Sequence, residues 1–311
     1  MTEVQDLDGR VAVVTGGARG VGLGYCKQLS ARGAQVVVND LGEDGRPPQE
    51  ALDVASDLRA AGGHCVADGH DVSTWTGAGA LIEHALEAYG QLDILICNAG
   101  ILRDRVIATM SEQEWDAVIN VNLKGSFAPL HFATAHWREH SKQIGAPVDA
   151  RVVLTTSEAG LYGNASQTNY AAAKAGVAAI GVAAARELRR YGVKVNVVAP
   201  RARTRLTVGT FGDFGDRSGF DYWDPDNVAP WIAYLVGPNG GHISGQTFVV
   251  GGGRVELMEG WQRVSVIEQD ERWLVDELPQ ASSRLFGDRK TVPPRFPDMG
   301  LPPSVAMAAN Q

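Results

Sequence analysis

Short β-branched runs alternate along this chain with longer stretches whose apolar residues recur every three or four positions. Arg10 to Thr15 (RVAVVT), Gln35 to Asn39 (QVVVN), Cys65 to Ala67, Leu92 to Cys97 (LDILIC), Arg151 to Thr156, Val193 to Val198 (VKVNVV) and Thr247 to Val250 (TFVV) read as strands. Helical patterns lie between them, ending near Arg32, Ala61 and Tyr89, then spanning Ser111 to about His140, Thr168 to Arg190 and Pro225 to Val236. Gly33, Gly62-Gly63 and Gly90 stop the first three, and Ser73 or Thr74 caps the third. Ser111 and Glu114 have the spacing of a capping box. Strand alternating with helix predicts an α/β fold. A further helix is predicted over about Ile267 to Leu278, and from Pro279 onward six prolines in 33 residues predict an extended tail without a core of its own.

The turns carry the chemistry. Thr15 runs into Gly16-Gly17-Ala18-Arg19-Gly20-Val21-Gly22, which opens the first helix. Gly16 permits a tight turn, Gly20 lets backbone approach a pyrophosphate, and Gly22 lets the helix pack close to the sheet. The free N–H groups and positive end of that helix then face the phosphates. Asp40 closes the second strand, 18 residues past Gly22. An acid there accepts hydrogen bonds from both ribose hydroxyls of an adenosine and repels a 2′-phosphate, which predicts NAD over NADP; Arg19 pulls weakly the other way. Asp71-Val72 follows the third strand, where the chain can cover an adenine ring, and Asn98-Ala99-Gly100 follows the fourth, where a small turn lets backbone reach a ribose.

A second constellation centres on Ser157 to Lys174. Tyr170 and Lys174 are four apart and share a helix face, and Ser157 ends a strand thirteen residues earlier. A free tyrosine titrates near ~10, and a neighbouring ammonium would bring it toward the operating pH of an acid–base catalyst. Asn122, followed closely by Gly125 within a helical stretch, marks either a kink whose freed carbonyl binds water or an ordinary buried polar residue. His131, His136 and His140 read as a solvated helix face, so no metal site is expected.

Composition narrows the partners. The 311 residues carry a formal charge of −8, are 44% hydrophobic and 21% charged, and have no basic block, which argues against nucleic acid or an anionic membrane. Three isolated cysteines and an acidic N-terminus without a signal pattern predict a cytoplasmic protein.

Together Thr15-Gly16-x-x-x-Gly20-x-Gly22, Asn98-Ala99-Gly100, Asn122, Ser157 and Tyr170-x-x-x-Lys174 resemble the short-chain dehydrogenase/reductase family over about residues 8 to 253. The resemblance implies a doubly wound (Rossmann) parallel sheet of about seven strands over 1–253, with 254–311 as a dependent C-terminal extension. It implies Tyr170 as acid/base, Ser157 orienting the substrate oxygen, Lys174 lowering the tyrosine pKa and holding the nicotinamide ribose, and Asn122 anchoring a relay water. Pro200 and Thr204 would meet the nicotinamide. Asn39 to Gly42, Asn98 to Asp104 (NAGILRD) and Tyr162-Gly163-Asn164 leading to Gln167-x-Asn169-Tyr170 are similar to the (3R)-hydroxyacyl-CoA dehydrogenase part of multifunctional enzyme type 2 and to actinobacterial relatives. That implies an acyl-CoA substrate and a homodimer or homotetramer built on the Thr168–Arg190 helix and the one before it. The alternatives are a hydroxysteroid dehydrogenase and a catalytically silent dinucleotide sensor. Two departures from the family stand out: Cys97 where an Asn is usual, and Arg201 in place of the Gly after Pro200. Arg201, Arg203 and Arg205 are either contacts for CoA phosphates or solvated surface, and residues 208–223 are read as a lid over substrate.

Overall fold

The computed structural model describes residues 5–211 and 219–292. These divide into two compact units, one ending at Met258 and the other beginning at Glu259.

The first unit is a single eight-stranded sheet. Its strands are β1 (Val11–Thr15), β2 (Gln35–Asn39), β3 (His64–Asp68), β4 (Ile94–Cys97), β5 (Arg151–Thr155), β6 (Lys194–Pro200), β7 (Thr247–Gly251) and β8 (Arg254–Met258). Their order is β3-β2-β1-β4-β5-β6-β7-β8; the first seven are parallel and β8 runs antiparallel to β7. Successive strand residues face opposite sides, so one β-branched run feeds two cores. Val14, Val36, Val38 and Ile96 pack with α1 (Gly20–Ala31), α2 (Gln49–Ala60) and α9 (Ala229–Val236). Val13, Val37, Leu95 and Leu154 pack with α3 (Trp75–Tyr89), α5 (Gly125–Ile144) and α7 (Thr168–Leu188). This is why the strands read as continuous apolar runs rather than alternating ones.

The expected helix from Ser111 is three pieces: α4 (Glu112–Val118), a π-helical turn over Ile119–Lys124, and α5. The capping box forms as expected, with Ser111 Oγ accepting the Glu114 N–H at 3.2 Å and Glu114 Oε2 accepting the Ser111 N–H at 2.9 Å. The widened turn falls on Asn122, where the kink was expected. Thr74, rather than Ser73, caps α3. The remaining short helices of this unit are α6 (Glu158–Tyr162) and α8 (Arg205–Phe211). Of residues 208–223, read as a lid, 208–211 complete α8 and 212–218 lie outside the described residues.

Helix α7 uses two faces. Val177, Gly181 and Ala185 are buried, and a Cβ on Gly181 would overlap Val197 of β6. Ala172, Ala175, Ala179 and Ala183 form an exposed stripe on the other side.

In the second unit the helix expected over 267–278 is absent. Instead α10 spans Leu278–Phe286 and begins beside Pro279. Proline in a first turn sacrifices no intrahelical bond, so it starts this helix where the sequence pattern predicts one to end. The expected extended tail therefore begins later, and residues 293–311 lie outside the described residues. No helix among the described residues is long and apolar enough to cross a membrane.

Candidate active site

Between β1 and β4 the strand order reverses, and a crevice opens there at the carboxyl ends of the strands. Thr15 stitches its two lips together. Its Oγ1 accepts the N–H of Asn98 at 2.9 Å and of Ala99 at 3.0 Å, while Asn98 Nδ2 donates to the carbonyls of Thr15 and Gly16, each at 3.2 Å. Gly16 has φ +63°, and a Cβ there would lie 3.0 Å from Ala99 Cα. A Cβ on Gly22 would overlap the Gly16 carbonyl. Gly20 opens α1 facing Thr204, whose Cγ2 would be 3.3 Å from an added Cβ. Val21 is buried under the first turn. Arg19 gives the helix no side-chain cap, and its first turn has no acid. The end N–H groups and helix dipole are thus presented to an anion across a cradle that side chains would fill. These residues fit the diphosphate of a dinucleotide.

Asp40 follows β2, with its own carboxylate accepting the Leu41 N–H at 3.0 Å. Arg19 Nη2 lies 3.8 Å from Asp40 and 3.9 Å from Glu50, so it leans between two acids. Behind Asp40 is a cluster that sequence reading missed. Asp68, buried at the end of β3, accepts from Asn39 Nδ2 at 2.7 Å and meets Nδ1 of His70 at 2.8 Å and of His84 at 2.7 Å. Burial pushes the Asp68 carboxyl up, but its hydrogen bonds with His84, His70 and Asn39 outweigh this and hold it below the usual range. The His84 imidazole is raised by the same bond. The Asp68 carbonyl accepts the Asp40 N–H at 3.1 Å, so the cluster braces the loop carrying Asp40. Its one sequence signal is a pair of polar residues, Asn39 and Asp68, in register at the ends of two apolar strands. Asp71 spends its carboxylate on the Ser73 N–H at 2.9 Å, and Val72 is buried beside Gly125.

Ser157, Tyr170 and Lys174 converge as expected. Ser157 leaves β5 and starts α6, where its Oγ accepts the Ala159 N–H at 3.2 Å. Helix α6 lies close on α7 because residue 160 is glycine: a Cβ would come within 2.7 Å of Lys174 Cβ. Lys174 is buried, donates to the Thr155 carbonyl at 2.8 Å, and holds its Nζ 5.7 Å from the Tyr170 ring centre. Burial lowers its pKa to about 8.

The expected lowering of the tyrosine is not what the structure gives. Burial pushes the Tyr170 phenol up to about 12; a hydrogen bond with Ser157 pulls it back only in part, and Asp104 adds to the rise. The ammonium of Lys174 is turned to a carbonyl, and burial dominates the phenol.

Asn122 is fully buried and joins the site indirectly. Its Nδ2 donates to the carbonyls of Ile101 and Val118, each at 3.0 Å, and its Oδ1 accepts the Ile101 N–H at 3.1 Å. It thereby pins the strap after Gly100, whose added Cβ would lie 2.5 Å from Asn122 Oδ1 and 3.7 Å from Lys174 Nζ. The Asn122 carbonyl accepts Ser126 Oγ at 2.8 Å.

The same strap is tied to the start of α7. Gln167 Nε2 donates to Asp104 at 2.9 Å, Asn169 Nδ2 to the Arg103 carbonyl at 3.0 Å, and Arg105 N–H to the Ser166 carbonyl at 2.7 Å. The stretches 98–104 and 167–170, picked out together by resemblance, are thus physically interlocked, and this lock fixes the start of the helix that carries Tyr170.

Pro200 ends β6, and Thr204 follows with its N–H on Thr207 Oγ1 at 2.7 Å. Arg201 and Arg203 are not solvated. Arg201 is buried between Glu158 and Glu256, each 2.6 Å away, and Arg203 pairs with Asp221. Both guanidinium groups are engaged by carboxylates, which corrects, for these two, the reading as phosphate contacts or solvated surface. Of the three, Arg205 stays exposed, and with Arg103 it lines a cleft of about 610 Å³ beside Gly100, Ile101 and Leu102.

Residues 10–207 match the family model described as short chain dehydrogenase. The chain belongs to the short chain dehydrogenase family. It is accordingly an oxidoreductase of a family that uses a nicotinamide dinucleotide. It is 43% identical over 264 residues to the hydroxyacyl-CoA dehydrogenase ChsB1 of Mycobacterium tuberculosis, covering 83% of this chain and 82% of that protein. It is 41% identical to the peroxisomal multifunctional enzyme type 2 of Drosophila melanogaster over 73% of this chain, but spans only 36% of that longer protein. A solved short chain dehydrogenase from Mycobacterium avium superposes with a TM-score of 0.83 at 41% identity, covering 92% of this chain and 97% of that one. A family member from Burkholderia cenocepacia, solved in complex with NADP, superposes with a TM-score of 0.69 at 29% identity, covering 80% of this chain and 98% of its own.

Proposed function

We propose that this dehydrogenase interconverts a (3R)-3-hydroxyacyl-CoA and the corresponding 3-oxoacyl-CoA, with NAD as its dinucleotide. The observation that carries the thioester is its 43% identity to a hydroxyacyl-CoA dehydrogenase of comparable length. Arg103 and Arg205 at the cleft support it, as exposed cations beside Ile101, Leu102 and Leu206, with Asp104 the one acid among the described residues of that lining. Asp40 supports NAD. The multifunctional enzymes are compatible with the same reading for the part this chain spans.

The bound dinucleotide would accept or deliver the hydride. In carbonyl reduction the Tyr170 phenol, kept protonated by burial, gives its proton to the substrate oxygen, and Ser157 Oγ hydrogen-bonds that same oxygen. In alcohol oxidation the proton returns to the phenolate. Lys174, beside Gly100, would hold a ribose hydroxyl with an N–H not given to Thr155. Asn122 secures the strap on which that ribose would rest. The exposed alanine stripe of α7 supports a homo-oligomer formed through that helix, since small residues allow close approach of a second copy.

The test is initial rate with NAD and with NADP against a panel of 3-hydroxyacyl-CoAs and hydroxysteroids. Reduction of NAD with a hydroxyacyl-CoA, and little with NADP, is the expected result. Turnover with hydroxysteroids alone would replace the thioester, and competition by free CoA would be absent in that case. Cofactor binding without turnover of any alcohol would favour the sensor reading.

A further inference from the structure

Arg201 stands at a junction of three elements. Its backbone follows β6, with its N–H donated to the Val250 carbonyl of β7 at 2.7 Å. Its side chain is 3% exposed. Nε and Nη2 grip both oxygens of Glu158, at 2.9 and 2.6 Å, and Nη1 reaches Glu256 of β8 at 2.6 Å. Arg254 Nε approaches the same Glu256 oxygen at 2.6 Å. Glu158 is the residue immediately after Ser157, in the first turn of α6. One turn further on, Tyr162 OH meets Met258 Sδ of β8 at 3.9 Å. Gly251 belongs to the same arrangement, since a Cβ there would lie 2.5 Å from Arg201 Cβ.

A planar guanidinium binding a carboxylate through two parallel N–H groups fixes direction as well as distance. Here it fixes Glu158, and so the first turn of α6, against β6 and β8. Gly160 already packs one side of α6 closely along α7. The arginine supplies the second point.

We propose that Arg201 is a positioning residue for Ser157: its buried bridge from Glu158 to Glu256 keeps the Ser157 hydroxyl beside Tyr170 and couples this geometry to strand β8. The inference rests on the proposed function, in which Ser157 orients the substrate oxygen. Arg201 touches no reacting atom. It acts through its neighbour.

The experiment is a double-mutant cycle on the full chain with Arg201→Met, Ser157→Ala and the double variant, read as kcat and KM. Arg201→Met should lower kcat by about 10- to 100-fold while leaving KM for the dinucleotide within about twofold, since a group acting in one unit with another loses its effect when the other is gone. In the Ser157→Ala background the same substitution should therefore cost less than about threefold. Arg201→Lys, which keeps the charge without the fork, should restore only part of the loss. If Arg201→Met does not fold, Glu256→Gln, at the β8 end of the bridge, is read in the same cycle and should show a smaller loss with the same dependence on Ser157. An Arg201→Met or Glu256→Gln enzyme with a lowered melting temperature and unchanged kcat overturns the proposal, as does an equal loss with and without Ser157. A Ser157→Ala enzyme as active as the wild type would instead overturn the reading of the site itself.

Discussion

Replacing Asp40 by Ser should turn the dinucleotide preference of this enzyme. The carboxylate lies at the end of β2 with its side chain 18% exposed, at the mouth of the cradle where an adenosine ribose would sit. With NADP bound, that carboxylate and a 2′-phosphate would share the space. Two unit charges ~4 Å apart interact by about 4 kcal/mol at an effective dielectric constant of ~20, and partial exposure brings this to roughly 2–4 kcal/mol. That range is a factor of about 30 to 10³ against NADP in the wild type. Removing the carboxylate also removes charge-assisted hydrogen bonds to the ribose hydroxyls, which should weaken NAD by about 10- to 100-fold. Arg19 works in the opposite sense but weakly: its side chain is 42% exposed, and an exposed pairing contributes about 0–1 kcal/mol. The assay is kcat/KM for NAD and NADP at a saturating second substrate, in wild type, Asp40→Ser and Arg19→Ala. The ratio of the two should move toward NADP by at least about 10²-fold in Asp40→Ser, the two effects acting together. A shift under tenfold in Asp40→Ser, or a larger one in Arg19→Ala, would refute the assignment of Asp40 as the discriminating charge.

Three further outcomes follow from the site. Tyr170→Phe should lower kcat by about 10²- to 10⁴-fold, the range for a lost acid–base group, with dinucleotide affinity by fluorescence titration almost unchanged; turnover within tenfold of wild type would remove the phenol from the mechanism. Because burial pushes that phenol up to about 12, its base form grows with pH throughout the working range. Alcohol oxidation, which needs the base, should therefore accelerate from pH 7 to 9, while carbonyl reduction, which needs the acid, should not; an oxidation rate flat over that interval contradicts the burial argument. Asn122→Ala strips partners from the Ile101 N–H and C=O and from the Val118 carbonyl, and should destabilise the fold by about 3 kcal/mol. A thermal melt should show the midpoint lowered by roughly 6–12 °C.

Much of the architecture was legible because seven strands are apolar on both faces and bounded by glycines or acids. β8 was not. Arg254, Glu256 and Met258 alternate with exposed Val255 and Leu257, the pattern of a one-sided edge strand, and the three glycines before it read as an ending rather than a hairpin. The order of site residues along the chain located Ser157, Tyr170, Lys174 and Asn122, since each lies at a strand end or on a helix whose direction the periodicity sets. What the pattern does not carry is which partner each polar group chooses. The Asp68 cluster joins residues 16 apart on different elements, and nothing local marks His84 as its member.

The arginines and the tyrosine show the same limit from the side of energy. A guanidinium written into a loop reads as available charge, yet Arg201 is held by two carboxylates from α6 and β8 that lie 43 and 55 residues away in sequence. Proximity of Lys174 to Tyr170 was legible at four residues, but the sign of the phenol's net shift was not. That sign depends on how far desolvation of the phenol exceeds its stabilisation by neighbours, and desolvation is a property of the packed crevice. With Lys174 buried, donating to Thr155 and lowered to about 8, and the phenol raised to about 12, the pair favours a neutral phenol opposite a weakened ammonium. Such a site holds its proton ready for a carbonyl, so reduction should be the less pH-sensitive direction of this enzyme.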